Sequence, residues 1–239
     1  MFAGAAFAHL ILEFLGAALA LEYYRRLRAR TQDAIGDGNR MSLLIAAAAG
    51  AFFGSRLLGA LEQPALFLGG GGAVGPLYYV TAKTIVGGLL GGLFGVELAK
   101  RFLGVRSRSG DVYVYPLLLA MMIGRVGCFL MGTQEPTYGV ATELWVGMDL
   151  GDGVRRHATA LYEIVFLGSL WLLLRWVERR WVLRSGRLFM LFLSGYLIYR
   201  FAIGFLQPMT VIYGLGAIQW ACLLGLAWLA YDWWPRHEG

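Results

Sequence analysis

Apolar runs separated by short polar linkers make up almost the whole chain. Seven of them are long enough to cross a bilayer: about 3–21, 41–60, 79–98, 112–132, 160–177, 188–206 and 212–232. A helix rising 1.5 Å per residue needs roughly 20 apolar residues to span the hydrocarbon layer. The pattern therefore predicts an all-α, polytopic membrane protein of about seven transmembrane helices, forming a single transmembrane domain over 1–239. The linkers are short except one, about 133–159, which is polar and mixed in charge. A glycine run, Gly69 to Gly72, marks a turn after the second span. There is no internal repeat. The opening MFAGAAFAHLILEFL carries no basic segment ahead of its apolar stretch, so it reads as a retained first span and not as a signal peptide.

Basic residues orient the bundle. Arg25, Arg26, Arg28, Arg30 and Arg40 follow the first span, and Lys100, Arg101, Arg106 and Arg108 the third. Arg175, Arg179, Arg180, Arg184 and Arg187 follow the fifth, and Arg236 lies in the tail. The alternate linkers hold only Arg155 and Arg156. Positive charge marks the cytoplasmic side, so the N-terminus is expected outside and the C-terminus in the cytoplasm. The 133–159 linker then becomes an outer, periplasmic loop.

Composition agrees: 58% of residues are hydrophobic and the mean hydropathy is +0.60, above the roughly 45–50% apolar share of soluble domains. A net charge of +6 would suggest nucleic acid in a soluble protein, but here the basic clusters sit between spans and read as topology. No nucleic-acid partner is expected. Cys128 and Cys222 lie within apolar runs and form no metal-ligand spacing or disulfide framework. No metal or cofactor is called for.

Four basic residues remain, Arg56, Lys83, Arg125 and Arg200, each inside a predicted span. An ionisable group at the bilayer centre costs about 3 kcal/mol on insertion scales and is a functional candidate by default. By depth, all four fall in the outward-facing half of the bundle. Each could pair with a buried carboxylate or snorkel to the interface. Carboxylates at matching depth look scarce, however: Glu13 lies near the middle of the first span, and Glu97 and Glu163 near span ends. An anionic phospholipid headgroup would supply the missing charge, and arginine suits phosphate through its planar donor fork. His9 and Glu13, four residues apart, share a helix face. They read either as a general base with its orienting carboxylate or as an interfacial histidine with a salt-bridging glutamate. In the third run, Gly87, Gly91 and Gly95 share one face. Such spacing serves close helix packing, or leaves room for a lipid tail. Arg155, Arg156 and His157, with Tyr162 and Glu163 just beyond, form a basic and aromatic cluster at the lip of the fifth span. The acids Glu135, Glu143, Asp149 and Asp152 share its loop, as a solvated loop would allow.

The stretch IGRVGCFLMG, residues 123–132, resembles the signature of the bacterial prolipoprotein diacylglyceryl transferase family, through Gly124, Arg125, Gly127, Phe129 and Gly132, with Gly139 closing the segment. RRHATALYE is similar to a second family block through Arg156, His157, Leu161, Tyr162 and Glu163. GSRLLGALE places Arg56 and YLIYRFAIGFLQP places Arg200. The four blocks run in family order from about 50 to 220. The resemblance implies seven spans with the N-terminus outside, in the bacterial inner membrane. It implies transfer of diacylglycerol from phosphatidylglycerol to the thiol of a lipobox cysteine in a secreted preprotein, with release of glycerol phosphate. It further implies that Arg125 contacts the donor headgroup and that Arg200 assists the departing phosphate or gates the site. Arg56, Lys83, Arg156, His157, Tyr162, Glu163 and Glu135 are candidate substrate-binding residues. His9 and Glu13 join Arg125 and Arg200 as catalytic candidates.

The chain also departs from the family. Val86 stands where the family has a histidine, Cys128 where it has an asparagine, and Gly204 where it has a glutamate. TQEPTYG replaces a shorter glutamate-containing segment, so Glu135 need not take that glutamate's role. The losses fall on acceptor and proton handling. They leave open a divergent member that uses a glycan or another lipid as acceptor, or a non-catalytic protein that binds anionic lipid.

Overall fold

The structure, a computed structural model, describes residues 2–30, 37–62, 64, 83–108, 110–135, 137–208, 211 and 213–233. Seven long α-helices lie among them: α1 (Phe2–Arg28), α2 (Asp37–Glu62), α3 (Ile85–Leu103), α4 (Val114–Met131), α5 (Thr159–Arg180), α6 (Arg187–Gly204) and α7 (Ala217–Trp233). Each coincides with one of the seven apolar runs. Five helical segments are long and apolar enough to cross a membrane by length and composition: Gly4–Arg28, Gly38–Glu62, Asp111–Gln134, Thr159–Arg180 and Arg187–Gly204. Large apolar side chains stand exposed on them, among them Phe14, Phe53, Val165 and Leu172. Such surface suits a lipid solvent. The Gly69–Gly72 turn and residues 79–82 of the third run lie outside the described residues.

The chain divides into two compact units. The first holds Met1–Asp33, Arg108–Tyr199 and Phe205–Pro208; the second holds Ala34–Ser107, Arg200–Gly204 and Met209–Gly239. In the first, α1 packs on α4 and α4 on α5. Gly16 meets the Ala120 carbonyl, and Gly127 meets His9: a Cβ at either glycine would lie 3.3 Å from its neighbour. Leu118, Leu167, Phe192, Leu193 and Leu197 are fully buried. At one end Tyr24 stacks on Tyr113, with ring centroids 4.9 Å apart. Asp111 accepts backbone N–H bonds from Gly186 (2.6 Å) and Phe189 (2.8 Å), so its carboxylate satisfies donors that the start of α6 would otherwise leave bare.

The loop between α4 and α5 is more ordered than its polarity suggests. It holds a short 3₁₀ turn, Gly132–Gln134, and a two-stranded antiparallel ribbon of β1 (Met148–Asp149) and β2 (Arg155–Arg156).

In the second unit α2 and α3 pack through glycine. A Cβ on Gly91 would sit 2.3 Å from the Gly50 carbonyl oxygen, and one on Gly87 2.3 Å from that of Gly54. One on Gly95 would lie 2.4 Å from the Ala46 oxygen. The glycine face of the third run is therefore filled by the α2 backbone and leaves no room there for a lipid tail. Thr84 caps α3 by accepting from Gly87 N at 3.2 Å, and its own N–H donates to Ser55 Oγ at 3.0 Å. This cap moves the start of the helix later than the apolar pattern predicts. Lys83 thus stands just ahead of α3, on an exposed position.

Gly91→Leu is expected to destabilise the protein by about 1–3 kcal/mol or more through overpacking. Gly88→Ala, whose Cβ would meet nothing nearer than 3.8 Å, should leave stability within roughly 0.5 kcal/mol. Thermal unfolding of both variants in detergent checks the contrast.

Candidate functional site

The centre of the first unit is a buried ion pair. Arg125, near the end of α4, lies with its Nε 2.9 Å from Oε1 of Glu163, near the start of α5. The residues are 4% and 2% exposed. The Tyr196 hydroxyl of α6 donates to the same carboxylate oxygen at 2.8 Å. On the other side, Arg125 Nη1 reaches Cys128 Sγ at 3.8 Å. The guanidinium thus pairs electrostatically with the carboxylate on its Nε side while an η nitrogen turns toward Cys128.

This pair corrects the expectation that carboxylates are scarce at the depth of the buried cations. Glu163 was placed near a span end, and Arg125 is near one too. Consecutive membrane helices run antiparallel. At 1.5 Å per residue Arg125 lies about 9 Å back from the end of α4, and Glu163 about 6 Å from the start of α5. They meet at one level. In the second unit, Glu62 at the end of α2 lies within electrostatic reach of Arg200, and its Oε2 accepts the Ile218 N–H at 3.0 Å. Glu62 was missed because it closes an apolar run and looks like a boundary charge. The expected group of four cations is divided: Arg125 belongs to the first unit, and Arg56, Lys83 and Arg200 belong to the second. Arg56 lies over the Phe52 ring, 5.2 Å from its centroid.

Cys128 forms part of the wall of a narrow crevice with Phe129, Gly132, Thr137, Tyr138, Leu150, Ala158, Thr159 and Ala160. The loop is held over it by a dense set of bonds. Thr159 Oγ1 and Gln207 Nε2 both donate to the Thr137 carbonyl, the latter at 3.0 Å. Gly139 N donates to the His157 carbonyl (3.0 Å), and Val140 N to that of Leu206 (2.8 Å). His157 Nδ1 lies 3.2 Å from the Tyr162 hydroxyl. Arg156 is bonded to Asp152 at 2.7 Å and covers the Tyr138 ring at 5.2 Å. Glu135, just after the 3₁₀ turn, lies within electrostatic reach of Cys128. On α1, His9 Nε2 and Glu13 Oε1 are 2.9 Å apart, as the i, i+4 spacing predicted. The His9 ring is buried against Gly127.

Comparison with known proteins decides the relationship. A profile described as prolipoprotein diacylglyceryl transferase matches residues 10–234. The chain belongs to this family. It is 28% identical over 192 residues to a phosphatidylglycerol–prolipoprotein diacylglyceryl transferase from Leifsonia xyli, covering 72% of this chain and 56% of that protein. Relatives of the same name from Rhodococcus jostii and Dehalococcoides mccartyi are 35% identical over 113 residues and 33% over 132. Those matches cover 38% and 52% of this chain, and 31% and 49% of the relatives. The chain thus spans about half the length, or less, of these curated relatives.

Within this diacylglyceryl transferase family member, the motif glycines have physical reasons. Gly127 lets α1 approach α4 at His9. Gly132 has φ of 56°, and a Cβ there would lie 2.1 Å from the Leu150 carbonyl oxygen. One on Gly139 would lie 2.5 Å from His157. Gly132 and Gly139 let the loop close down on the helix ends. Where the family's late glutamate is Gly204 here, the space is taken: a Cβ would be 3.0 Å from Gln219 Cγ. Gln219 is almost fully buried, accepts from Gly216 N and donates to the Phe201 carbonyl. Tyr196 and Gln219 escaped the sequence reading because an uncharged polar residue in an apolar run gives no signal of its own, and Thr137 and Gln207 because they stand among ordinary linker residues just outside the runs.

Removing one partner of the buried pair should be severe. Glu163→Ala is expected to cost about 3–5 kcal/mol, because it leaves the guanidinium uncompensated. Tyr196→Phe is expected to cost about 1–3 kcal/mol. Unfolding of the purified variants measures both.

Hydrogen bonding to Arg156 holds the Asp152 carboxyl below its ordinary value of 3.8. A depressed carboxyl favours the folded loop above the unfolded pKa, and that contribution is lost as pH falls through the lower, folded value. A carboxyl-carbon NMR titration should place the Asp152 midpoint below that of an unpaired aspartate, and Arg156→Ala should return it to the ordinary range.

Proposed function

We propose that this chain is a phosphatidylglycerol–prolipoprotein diacylglyceryl transferase of the bacterial inner membrane. All seven helices would cross the bilayer, with the N-terminus outside, the C-terminus cytoplasmic, and the 133–159 loop forming the outer part of a single transmembrane domain. The observation that carries the reading is the buried Arg125–Glu163 pair in one unit of a family member, with an η nitrogen of Arg125 turned toward Cys128 under the loop.

The reaction is displacement at carbon. The sulfur of the preprotein cysteine forms a bond to the terminal glyceryl carbon of the diacylglyceryl group. The carbon–oxygen bond to phosphate breaks, glycerol phosphate leaves with the electron pair, and the thiol proton passes to a base. Negative charge gathers on the leaving phosphate, which preorganised cations in a low-dielectric site stabilise. Arg125 suits that role: Glu163 and Tyr196 fix its orientation, and an η nitrogen faces the crevice wall at Cys128. Arg56, Lys83 and Arg200 are assigned to anionic-lipid contact within the second unit. His157, Tyr162, Arg156 and Glu135 shape the loop side of the substrate site. The His9–Glu13 couple serves as proton acceptor, its carboxylate orienting the imidazole. Pairing with Glu163 weakens the argument from unmatched charge, so the lipid reading rests on donor geometry and family membership.

A second reading, a family member with another acceptor such as a glycan or lipid, is favoured by Val86. It is 1% exposed and offers no proton-transferring group where the family has histidine.

The test uses the full chain in lipid nanodiscs with headgroup-labelled phosphatidylglycerol and a lipobox peptide. Glycerol phosphate release that requires the peptide is expected. Arg125→Ala should reduce it about 100-fold or more, and Glu13→Gln should abolish it while sparing lipid binding. Release without peptide, or only with another acceptor, would move the chain to the second reading. Lipid binding with no release under any condition would reject the transferase.

A further inference from the structure

The tip of the loop between α4 and α5 presents apolar side chains outward from an ordered turn. Trp145 is 88% exposed and Leu144 58%, with Met148 at 41% and Val154 at 40% on the adjoining segments. The turn is not a loose excursion. Arg155 donates from Nε to the Gly147 carbonyl and from Nη2 to those of Leu144, Trp145 and Gly147, at 3.2–3.3 Å. Leu144 N donates to Thr142 Oγ1 (3.2 Å), and Gly147 N to the Leu144 carbonyl (2.9 Å). Backbone groups facing water have no need of such partners. In a lipid interface they do, because unsatisfied carbonyls make entry costly. An exposed tryptophan and leucine on a turn that satisfies its own carbonyls therefore match the headgroup–acyl boundary better than bulk water.

The geometry of the loop keeps the tip within reach. Thr133 N donates to the Leu150 carbonyl at 3.2 Å, which ties Leu150 to the end of α4. Trp145 is five residues away, so it lies at most about 17 Å from that end along the chain. The 18 residues of α4 make a rod of about 27 Å, close to the roughly 30 Å hydrocarbon thickness. Its end therefore falls near the boundary, and its own exposed Val126 and Leu130 carry the lipid-facing surface up to the loop.

We propose that the 142–148 turn is a membrane-interface anchor that inserts Leu144 and Trp145 into the outer boundary of the phospholipid bilayer. Tryptophan prefers that zone because its ring is apolar and its N–H polar. The occupant is lipid surface and not an anionic headgroup. Glu143, Asp149 and Asp152 surround the turn, and of the two cations beside it Arg155 is engaged with carbonyls and Arg156 with Asp152. Docking is therefore apolar and insensitive to salt and to the phosphatidylglycerol content. It holds whichever acceptor the transferase uses.

The test compares the full chain and Trp145→Phe in phosphatidylcholine nanodiscs, with and without acyl-brominated lipid. The difference in fluorescence between the two proteins reports Trp145 alone. It is expected to fall about twofold or more with brominated lipid, to resist acrylamide, and to stay unchanged when phosphatidylglycerol or salt is added. Arg155→Ala should restore acrylamide access. Hydroxyl-radical footprinting of the unmodified chain gives the same answer without a substitution: Trp145 should oxidise slowly in nanodiscs. Fast oxidation, acrylamide quenching without bromine quenching, or protection only after a lipobox peptide is added would each overturn the proposal. The last would make the turn a preprotein contact.

Discussion

The packing of α4, α5 and α6 in the first unit depends on one buried charge being answered. Arg125 would be intolerable in a bundle core without Glu163, and Glu163 without Arg125. Pairing them at 2.9 Å fixes where α4 and α5 meet, and the Tyr196 hydroxyl adds α6 to the same point. A pair of this kind contributes little net stability compared with an apolar alternative, because desolvation offsets the attraction. Its value lies in direction: a guanidinium paired on its Nε side presents the rest of its donor fork at a defined place.

Each unit uses small residues where backbones must come close. In the first, Gly127 admits His9 of α1, and Gly132 and Gly139 let the loop between α4 and α5 fold onto the helix ends; in the second, Gly50, Gly54, Gly87 and Gly91 join α2 to α3. Lipid supplies little hydrophobic drive between helices, so close backbone approach and buried polar bonds hold such a bundle together. The loop applies the same logic outside the spans. Its strands and side-chain bonds consume the backbone groups that a polar linker would leave to water, and its apolar tip remains outward.

Much of the fold was legible because bilayer thickness sets helix length. All seven helices fall on the seven apolar runs, and the His9–Glu13 contact followed from a spacing of four. Glycine packing in the third run was legible from its period. Partner choice was harder. Glu163 and Glu62 stood near span ends, and distance along the sequence hid that antiparallel neighbours bring two ends to one level. The start of α3 was misjudged because Thr84 caps a helix inside an apolar run, which hydropathy cannot register. The order of the outer loop, and the filling of the Gly204 space by Gln219, arise from contacts between residues far apart in sequence.

We propose that the guanidinium of Arg125 recognises the phosphate of the lipid donor. Native mass spectrometry of lipid-bound protein tests it most directly, using phosphatidylglycerol against phosphatidylcholine for the unmodified chain and for the Arg125→Gln/Glu163→Gln double variant. That variant removes both charges together and so leaves no lone ion in the core. The expected result is a preference for phosphatidylglycerol that the double variant loses while it still carries phosphatidylcholine. An equal preference in both proteins would contradict it.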